Sequence, residues 1–137
     1  MYRWTILLLA LVMVTSCLLL GCGGGGGGDD PVDLSGTGNL TTADLLWNDY
    51  YYDLQEFTAT RDGQVEITMS STAVDAYLEV YLGSGIGGVL VYIDDDSGGG
   101  TNARITFPGE QGDTYTVGFS TSLKGETGAY QWTIREL

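Results

Sequence analysis

The sequence contains no histidine, and this absence excludes several kinds of active site. Histidine is the commonest general base and the commonest transition-metal ligand, and Ser-His-Asp and Cys-His catalytic arrangements depend on it. Cysteine is scarce as well, since the chain has only Cys17 and Cys22, both close to its start. If Cys22 carries a lipid, the domain that follows it has no thiol for a disulfide, a zinc site or a nucleophile. We therefore expect the protein not to be an enzyme.

Positively charged side chains are also few. The chain has 5 Lys and Arg against 18 Asp and Glu, which gives a formal net charge of −13. Nucleic-acid binding depends on Lys and Arg that neutralise phosphates, so nucleic acid is excluded as a partner. The acidic residues are scattered except at 94–96, and the apolar fraction of 43% is ordinary for a folded domain. The sequence thus predicts an acidic folded domain rather than a disordered chain.

The chain begins with an apolar segment, Ile6 to Leu20, that follows the single basic residue Arg3. The segment is at or below the length needed to span a membrane, and it is typical of a secretion signal. It ends in Leu19-Leu20-Gly21-Cys22, which resembles the lipobox of bacterial lipoproteins. We predict a signal peptide over residues 1–21, acylation (palmitate among the acyl chains) of Cys22, and a lipid anchor that holds the protein to a membrane in the cell envelope.

Two alternatives to this prediction remain open. Val14-Thr15-Ser16-Cys17 also fits a lipobox, although cleavage there would leave the apolar Leu18 to Leu20 exposed in the product. The other alternative is that the segment is retained as an anchor helix. Gly23 follows Cys22 in place of the aspartate that retains lipoproteins in the inner membrane of enteric bacteria. This favours the outer membrane if the cell has two membranes.

Residues 22–38 are predicted to be a tether, because they contain six consecutive glycines and a Ser-Gly-Thr-Gly run. From residue 39 to 137, apolar and polar residues alternate in short runs separated by Gly, Asp, Asn and Ser, and no segment has helical periodicity. In the segment Gln64 to Ser70, for example, Val65, Ile67 and Met69 share one face. The pattern predicts an all-β domain, an antiparallel β-sandwich of jelly-roll or immunoglobulin-like type with about seven to eight strands.

Two finer predictions concern how these strands are placed. The continuous apolar run Val89 to Ile93 is typical of a central strand that is buried on both faces. The pair Asp62-Gly63 stands between two predicted strands and suits a tight hairpin turn. The sequence therefore predicts that the strands on either side of this pair are hydrogen-bonded neighbours.

The order of short motifs along the domain resembles the bacterial pre-peptidase C-terminal domain, a secreted β-sandwich that is usually appended to extracellular peptidases. The matching residues are Tyr51-Tyr52-Asp53, Phe57, Gly63-Gln64-Val65, Ile67, Asp75-Ala76-Tyr77-Leu78, Asp95-Asp96, Gly98 to Gly100, Asn102 to Ile105, Asp113 to Val117 and Gly125 to Tyr130. The resemblance implies a non-catalytic β-sandwich that serves binding, surface attachment or a structural role. An extracellular protein or a polysaccharide is the expected partner.

The loop that follows Ile93 is rich in oxygen ligands. Carboxylates and amide carbonyls suit Ca²⁺, which accepts six to eight oxygens and tolerates irregular loops. The candidate metal ligands are Asp75, Asp94, Asp95, Asp96 and Asn102. The spacing is not that of an EF-hand. The alternative is that these side chains cap the turn by accepting hydrogen bonds from backbone amides.

Aromatic residues cluster at the start of the domain. Trp47, Tyr50, Tyr51 and Tyr52 are the candidate ligand-binding face, because aromatic rings on a sheet stack on sugars and contact proteins. The alternative is that they fill the core. A carbohydrate-binding module is the competing function. Asp96-Ser97-Gly98 matches an aspartic protease triplet, but its acidic, glycine-rich surroundings keep it solvated, so a carboxylate-dependent hydrolase is a remote alternative.

Overall fold

The computed structural model describes residues 30–137, which form nine strands and no helix. The strands are β1 (Asp33–Leu40), β2 (Leu45–Trp47), β3 (Tyr50–Thr58), β4 (Gly63–Ser70), β5 (Ala76–Leu82), β6 (Val89–Asp94), β7 (Ala103–Gly109), β8 (Thr114–Thr121) and β9 (Gly128–Glu136). They build a four-stranded sheet in the order β1-β9-β4-β7 and a five-stranded sheet in the order β2-β3-β8-β5-β6. All pairings are antiparallel, which confirms the predicted β-sandwich.

The N-terminal predictions lie outside the described residues. They comprise the signal peptide, the lipidation predicted at Cys22, the alternative Cys17 and residues 22–29 of the tether. Residues 30–137 contain no helical segment that could span a bilayer.

The core lies between the two sheets and is built from alternate residues of each strand. In β4 the buried set is Val65, Ile67 and Met69, as the alternation predicts. Each such side chain contributes roughly 1.5–3 kcal/mol by leaving water. The largest fully buried side chains come from both sheets and are Phe107, Phe119, Leu40, Ile67, Met69, Leu78, Ile134, Val65, Val80 and Val117.

The domain begins earlier than residue 39, because residues 33–38, assigned above to the tether, form most of β1. β1 pairs with β9 along its whole length. Its glycines are needed for packing: a Cβ at Gly36 would lie 2.8 Å from Cζ2 of Trp132, and one at Gly38 would overlap the ring of Tyr130. Glycine here therefore allows two aromatic rings to lie across the strand. A Ser-Gly-Thr-Gly run is also typical of a flexible linker, and for this reason the prediction that residues 33–38 belong to the tether was wrong.

The short strand β2 was also missed by the sequence pattern. It joins β3 through Asn48 and Asp49, whose φ angles are 51° and 73°. A two-residue turn with positive φ at both positions is the favoured connection of a tight hairpin, and Asn and Asp tolerate it. The turn places Trp47 directly opposite Tyr50. Because β1 and β2 are strands as well, the domain has nine strands instead of the seven to eight that were predicted.

The Asp62-Gly63 turn does not form a hairpin. β3 pairs with β2 and β8, whereas β4 pairs with β7 and β9, so the turn carries the chain from one sheet to the other. Phe57 of β3 and Val65 of β4 both point into the core that separates the sheets. A turn sequence specifies only the local reversal of the chain, and the sheet partners on either side decide whether the strands pair.

The prediction that Val89 to Ile93 is a buried central strand was wrong as well. β6 is the edge strand of the five-stranded sheet, and its five apolar residues are 37–67% exposed. It pairs with β5 alone, with a bulge between Val80 and Tyr81. Tyr92 turns inward and stacks on Phe107 with ring centroids 4.8 Å apart. A continuous apolar run does not distinguish a strand buried on both faces from one whose edge is uncovered.

Candidate ligand-binding groove and acidic cluster

A groove runs over the outer face of the five-stranded sheet. On this face the central strand β8 carries only small residues, Thr116, Gly118 and Ser120, which are buried beneath their larger neighbours. A Cβ on Gly118 would lie 3.4 Å from the ring of Tyr52, so the tyrosine ring covers the glycine closely. Strands β3 and β5 lie on either side of β8 and provide larger side chains that line the groove.

The groove encloses about 460 Å³. The residues that line it are Trp47, Asn48, Tyr50, Tyr52, Tyr77, Glu79, Tyr81, Leu90, Asp95, Thr121 and Ser122. Trp47 is 58% exposed at one rim, whereas Tyr52 is buried at the base. A volume of this size, with aromatic walls and a few convergent polar groups, is typical of a small-ligand or side-chain binding site.

Glu79 lies on the base of the groove and accepts hydrogen bonds from two tyrosines. Tyr52 Oη donates to its Oε1 over 3.4 Å, and Tyr81 Oη donates to its Oε2. Burial and the nearby Glu79 carboxylate raise the pKa of Tyr52 to about 12, and the same causes raise the pKa of Tyr81. The tyrosine hydroxyls therefore stay neutral at physiological pH and act as donors.

Three of the predicted site aromatics line the groove and one does not. Trp47, Tyr50 and Tyr52 lie on it, while Tyr51 points to the other side of β3 and packs against the core. The alternation of side chains along a strand requires this split. Tyr77, Glu79 and Tyr81 were not predicted as site residues, although they alternate with the buried residues of β5 and so could have been assigned to an outer face.

Three aspartates meet at one end of the groove. Asp75 precedes β5, and Asp95 and Asp96 follow β6; one carboxylate oxygen from each lies within 4.8 Å of the others. Oδ1 of Asp75 and Oδ1 of Asp95 are buried and have no hydrogen-bond partner among residues 30–137. Burial, and then the charges of Asp96, Asp75 and Asp94, raise the pKa of Asp95. Carboxylates with orphaned oxygens at this spacing fit a hard cation such as Ca²⁺.

Backbone contacts fix Asp75, the member of this cluster that comes from another part of the chain. Its N–H donates to Oε2 of Glu126 over 3.0 Å, and its C=O accepts from the N–H of Ser122 over 2.9 Å. These two contacts tie the start of β5 to the loop between β8 and β9. No sequence signal marks Glu126 or Ser122, since both lie about fifty residues from Asp75.

The remaining two predicted metal ligands hold the loop rather than joining the cluster. Oδ2 of Asp94 accepts hydrogen bonds from the backbone N–H groups of Ser97 (3.1 Å) and Arg104 (2.8 Å). Oδ1 of Asn102 accepts from the N–H of Ser71 over 3.0 Å. These are the turn-capping contacts that Asp and Asn commonly make. The structure thus brings three of the five residues together.

A second depression of about 500 Å³ lies on the outside of the four-stranded sheet near Ser70, Ser71 and Gln131. Hydroxyl and amide side chains line it together with Ala129 and Tyr130, and none of the lining residues is charged. Without a charged group to orient a ligand, this depression is the weaker candidate.

The similarity of this chain to known proteins lies in its fold rather than its sequence. No family model matches the sequence, and no curated protein is significantly similar to it. Among solved structures, the chain is similar to the pre-peptidase C-terminal domain of collagenase from Bacillus anthracis. The two share 12% sequence identity with a TM-score of 0.54, over 75% of this chain and 89% of that chain. Residues 30–137 therefore have the fold of a pre-peptidase C-terminal domain.

Proposed function

We propose that the protein is a non-catalytic binding domain of the cell envelope that receives its ligand in the groove of the five-stranded sheet. One observation carries the proposal: exposed Trp47 and a row of tyrosines surround a polar base in a single concavity. Aromatic side chains provide large contact area with little loss of conformational entropy, and their hydroxyls supply directional hydrogen bonds. The shared fold with a pre-peptidase C-terminal domain supports a role without chemistry.

The experiment that tests this role is site-specific photocrosslinking in the native cells. A photoreactive amino acid in place of Trp47 is expected to capture a partner molecule. The matched control replaces Leu46, which is 54% exposed but pairs with Tyr51 and so lies on the opposite face of β2. If a partner is captured at position 47 and this capture is lost in Tyr77→Ala, the result supports binding of the ligand in the groove. Equal capture at both positions, or none at either, overturns the proposal.

Anchoring at Cys22 is the second part of the proposal. It rests on the lipobox-like Leu19-Leu20-Gly21-Cys22 pattern. The chain between Cys22 and β1 spans at most about 40 Å when extended, which keeps the groove near the membrane surface. Cys22→Ser is expected to remove the acyl mass and release the protein from membranes, whereas Cys17→Ser leaves both unchanged. Mass spectrometry that finds an unmodified, uncleaved amino terminus contradicts the anchor.

Calcium binding at Asp75, Asp95 and Asp96 is the third part. The orphaned oxygens of Asp75 and Asp95 support it, because a buried carboxylate oxygen without a partner is costly and a cation would satisfy it. Bound Ca²⁺ would neutralise the mutual repulsion of the three carboxylates. It would also hold the start of β5 against the loop that follows β6.

A carbohydrate-binding module is the second candidate function. The 58% exposure of Trp47 favours it, since an indole at the rim of a groove offers a flat surface for a sugar ring. Retention of the domain on insoluble polysaccharides, lost in Trp47→Ala and kept in Leu46→Ala, would assign the groove to sugars. Absence of retention on any polysaccharide, together with a captured protein, assigns it to a protein.

Catalysis is the remote alternative. Asp96 and Ser97 of the Asp96-Ser97-Gly98 triplet are exposed, so solvent keeps this carboxylate from the burial that tunes a catalytic acid. A hydrolase screen of the purified domain is expected to find no activity. An activity that disappears in Asp96→Asn would overturn the non-catalytic proposal.

A further inference from the structure

The groove concentrates negative charge, and no Lys or Arg of residues 30–137 lies inside it to balance that charge. Glu79 stands on its base and Asp95 at its end, and no Lys or Arg is among the residues that line it. The four basic residues of the described part lie outside the groove: Arg61 contacts Glu136 and Leu137, Arg135 pairs with Asp33, and Arg104 lies on β7. Lys124 pairs with Asp49 at the rim.

We infer that the ligand of this groove is a protein segment that inserts a cationic side chain, an arginine above all, between the tyrosines and over the Glu79 carboxylate. The inference rests on the proposed binding function and names the chemistry of its ligand. The cation would face Glu79 from the open side of the groove, with the rings of Tyr52, Tyr77 and Tyr81 around it.

The chemistry of the groove suits a guanidinium group in two ways. A carboxylate such as Glu79 offers its two oxygens to the paired N–H donors of an arginine, which match that geometry. The electron-rich faces of tyrosine rings attract a cation that lies over them. The tyrosine hydroxyls stay protonated, because burial and nearby carboxylates raise the pKa of Tyr52 to about 12, so they add no competing charge.

An existing contact at the rim shows the same pairing within the chain. The Nζ of Lys124 lies 5.9 Å from the ring centroid of Tyr50, a lining residue, and 3.2 Å from Oδ2 of Asp49. The ammonium group is thus held outside the groove by a carboxylate and a tyrosine face. Inside the groove there are more carboxylates and tyrosine rings than at this rim. They are also less exposed to solvent, which strengthens their electrostatic attraction for a cation.

The ligand is a protein segment rather than a free amine because an apolar strip begins at the wall of the groove and continues along β6. Leu90 and Ile93 of β6 pair with Tyr81 and Glu79, so they lie on the same outer face of the sheet. They are 48% and 57% exposed. Apolar residues that flank the cationic residue in a partner would cover this strip, which a small polyamine would leave exposed.

The test uses two peptides that differ only in charge. An acetylated, amidated Leu-Arg-Leu peptide is titrated into the domain by calorimetry, and the control peptide carries citrulline, the uncharged analogue of arginine, at the same position. The arginine peptide is expected to bind at least about tenfold more tightly, as a charged hydrogen-bonded pair requires, and to weaken with added salt. Equal affinity for the two peptides overturns the inference.

Variants identify the carboxylate that is responsible. Glu79→Gln is expected to reduce the ratio of the affinities for the arginine and citrulline peptides at least about tenfold. Glu66→Gln, on the four-stranded sheet, is the matched control and is expected to keep that preference. If Glu79→Gln does not fold, Asp95→Asn, titrated in chelator so that no cation occupies the aspartate cluster, serves in its place with a smaller expected loss. A preference that survives in the folded variant overturns the inference.

The outcomes separate this inference from the proposed binding function. If a neutral oligosaccharide such as cellohexaose binds and Trp47→Ala abolishes its binding, while the arginine peptide does not bind, the cationic ligand is wrong and the binding domain stands. If neither probe binds and position 47 captures no partner in cells, the cationic ligand and the proposed binding function are both wrong.

Discussion

The hydroxyl of Tyr130 donates a 2.6 Å hydrogen bond to Oδ2 of Asp53. Tyr130 belongs to β9 of the four-stranded sheet and Asp53 to β3 of the five-stranded sheet, so the bond joins the two layers. Tyr130 is only 4% exposed, and its ring packs 5.5 Å from that of Phe119. Burial raises the pKa of Asp53, and the bond from Tyr130 works against that rise.

Tyr130→Phe is expected to destabilise the domain by about 1–3 kcal/mol, because it leaves the half-buried Asp53 carboxylate without its donor. Urea denaturation measures the change. Tyr92→Phe is the control, since Tyr92 is 37% exposed at the sheet edge and its hydroxyl has no hydrogen bond within the described residues. Similar losses in the two variants would mean that the bond between the sheets contributes nothing specific.

Calcium is expected to raise the melting temperature of the domain. A cation that binds only the folded state stabilises it by about 2.7 kcal/mol when its concentration is one hundred times Kd. Asp95→Asn is expected to remove this response. Glu110→Gln is expected to retain it, because Glu110 follows the last residue of β7, away from the aspartate cluster. Identical melting curves of the unmodified domain in calcium and in chelator would rule out the metal site.

In chelator, the same Asp95→Asn change is expected to raise the stability of the domain at neutral pH. Burial and the neighbouring carboxylates raise the folded-state pKa of Asp95, so its ionised form is disfavoured in the folded domain. Its favourable contribution is therefore present at low pH and is lost as the pH rises through the folded pKa. A variant that is less stable than the unmodified domain in chelator at pH 7 would contradict this account.

Glu136 gives the opposite pH dependence. Burial alone would raise its pKa, but hydrogen bonds from the hydroxyl and N–H of Thr60 and the N–H of Val32 lower it. Its contribution is therefore present above the ordinary pKa of 4.5 and is lost as the pH falls through the lower folded value. Glu136→Gln is expected to lower stability at pH 7 and to flatten the loss of stability between about pH 5 and pH 3.

Denaturation of both proteins across this range checks the prediction. Glu66→Gln is the comparison variant, because Glu66 lies on the outer face of the same sheet. A Glu136→Gln protein that loses stability on acidification as steeply as the unmodified protein would assign the acid response to other carboxylates.

Gly38→Ala is expected to cost about 1–3 kcal/mol, the usual range for overpacking, because the new Cβ would overlap the ring of Tyr130. Gly87→Ala is the matched control, since a Cβ there meets nothing within 4 Å and its φ is not positive. Thermal melting compares the two. If both substitutions have equal effects, β1 does not pack under Tyr130 as described.

The candidate site could be predicted only in part. Trp47, Tyr50 and Tyr52 were named from their clustering, and Asp75, Asp95 and Asp96 from their chemistry. That Tyr77, Glu79 and Tyr81 join the aromatic residues depends on β5 and β3 lying on either side of β8, which is a nonlocal pairing. Asp94 and Asn102 carry the same oxygen ligands as the cluster, and only the loop conformation directs them to backbone amides.

Alternation and composition act locally along the chain, so they suffice to predict the all-β class, the faces of strands such as β4 and the acidic charge of the domain. Long-range pairing of strands is needed to make 33–38 a strand, to place Val89 to Ile93 at an edge and to let Asp62-Gly63 connect two sheets. These features depend on which strand lies beside which. Residues such as Gly38 and Tyr130, far apart in the chain, set that arrangement by contacts that no local pattern encodes.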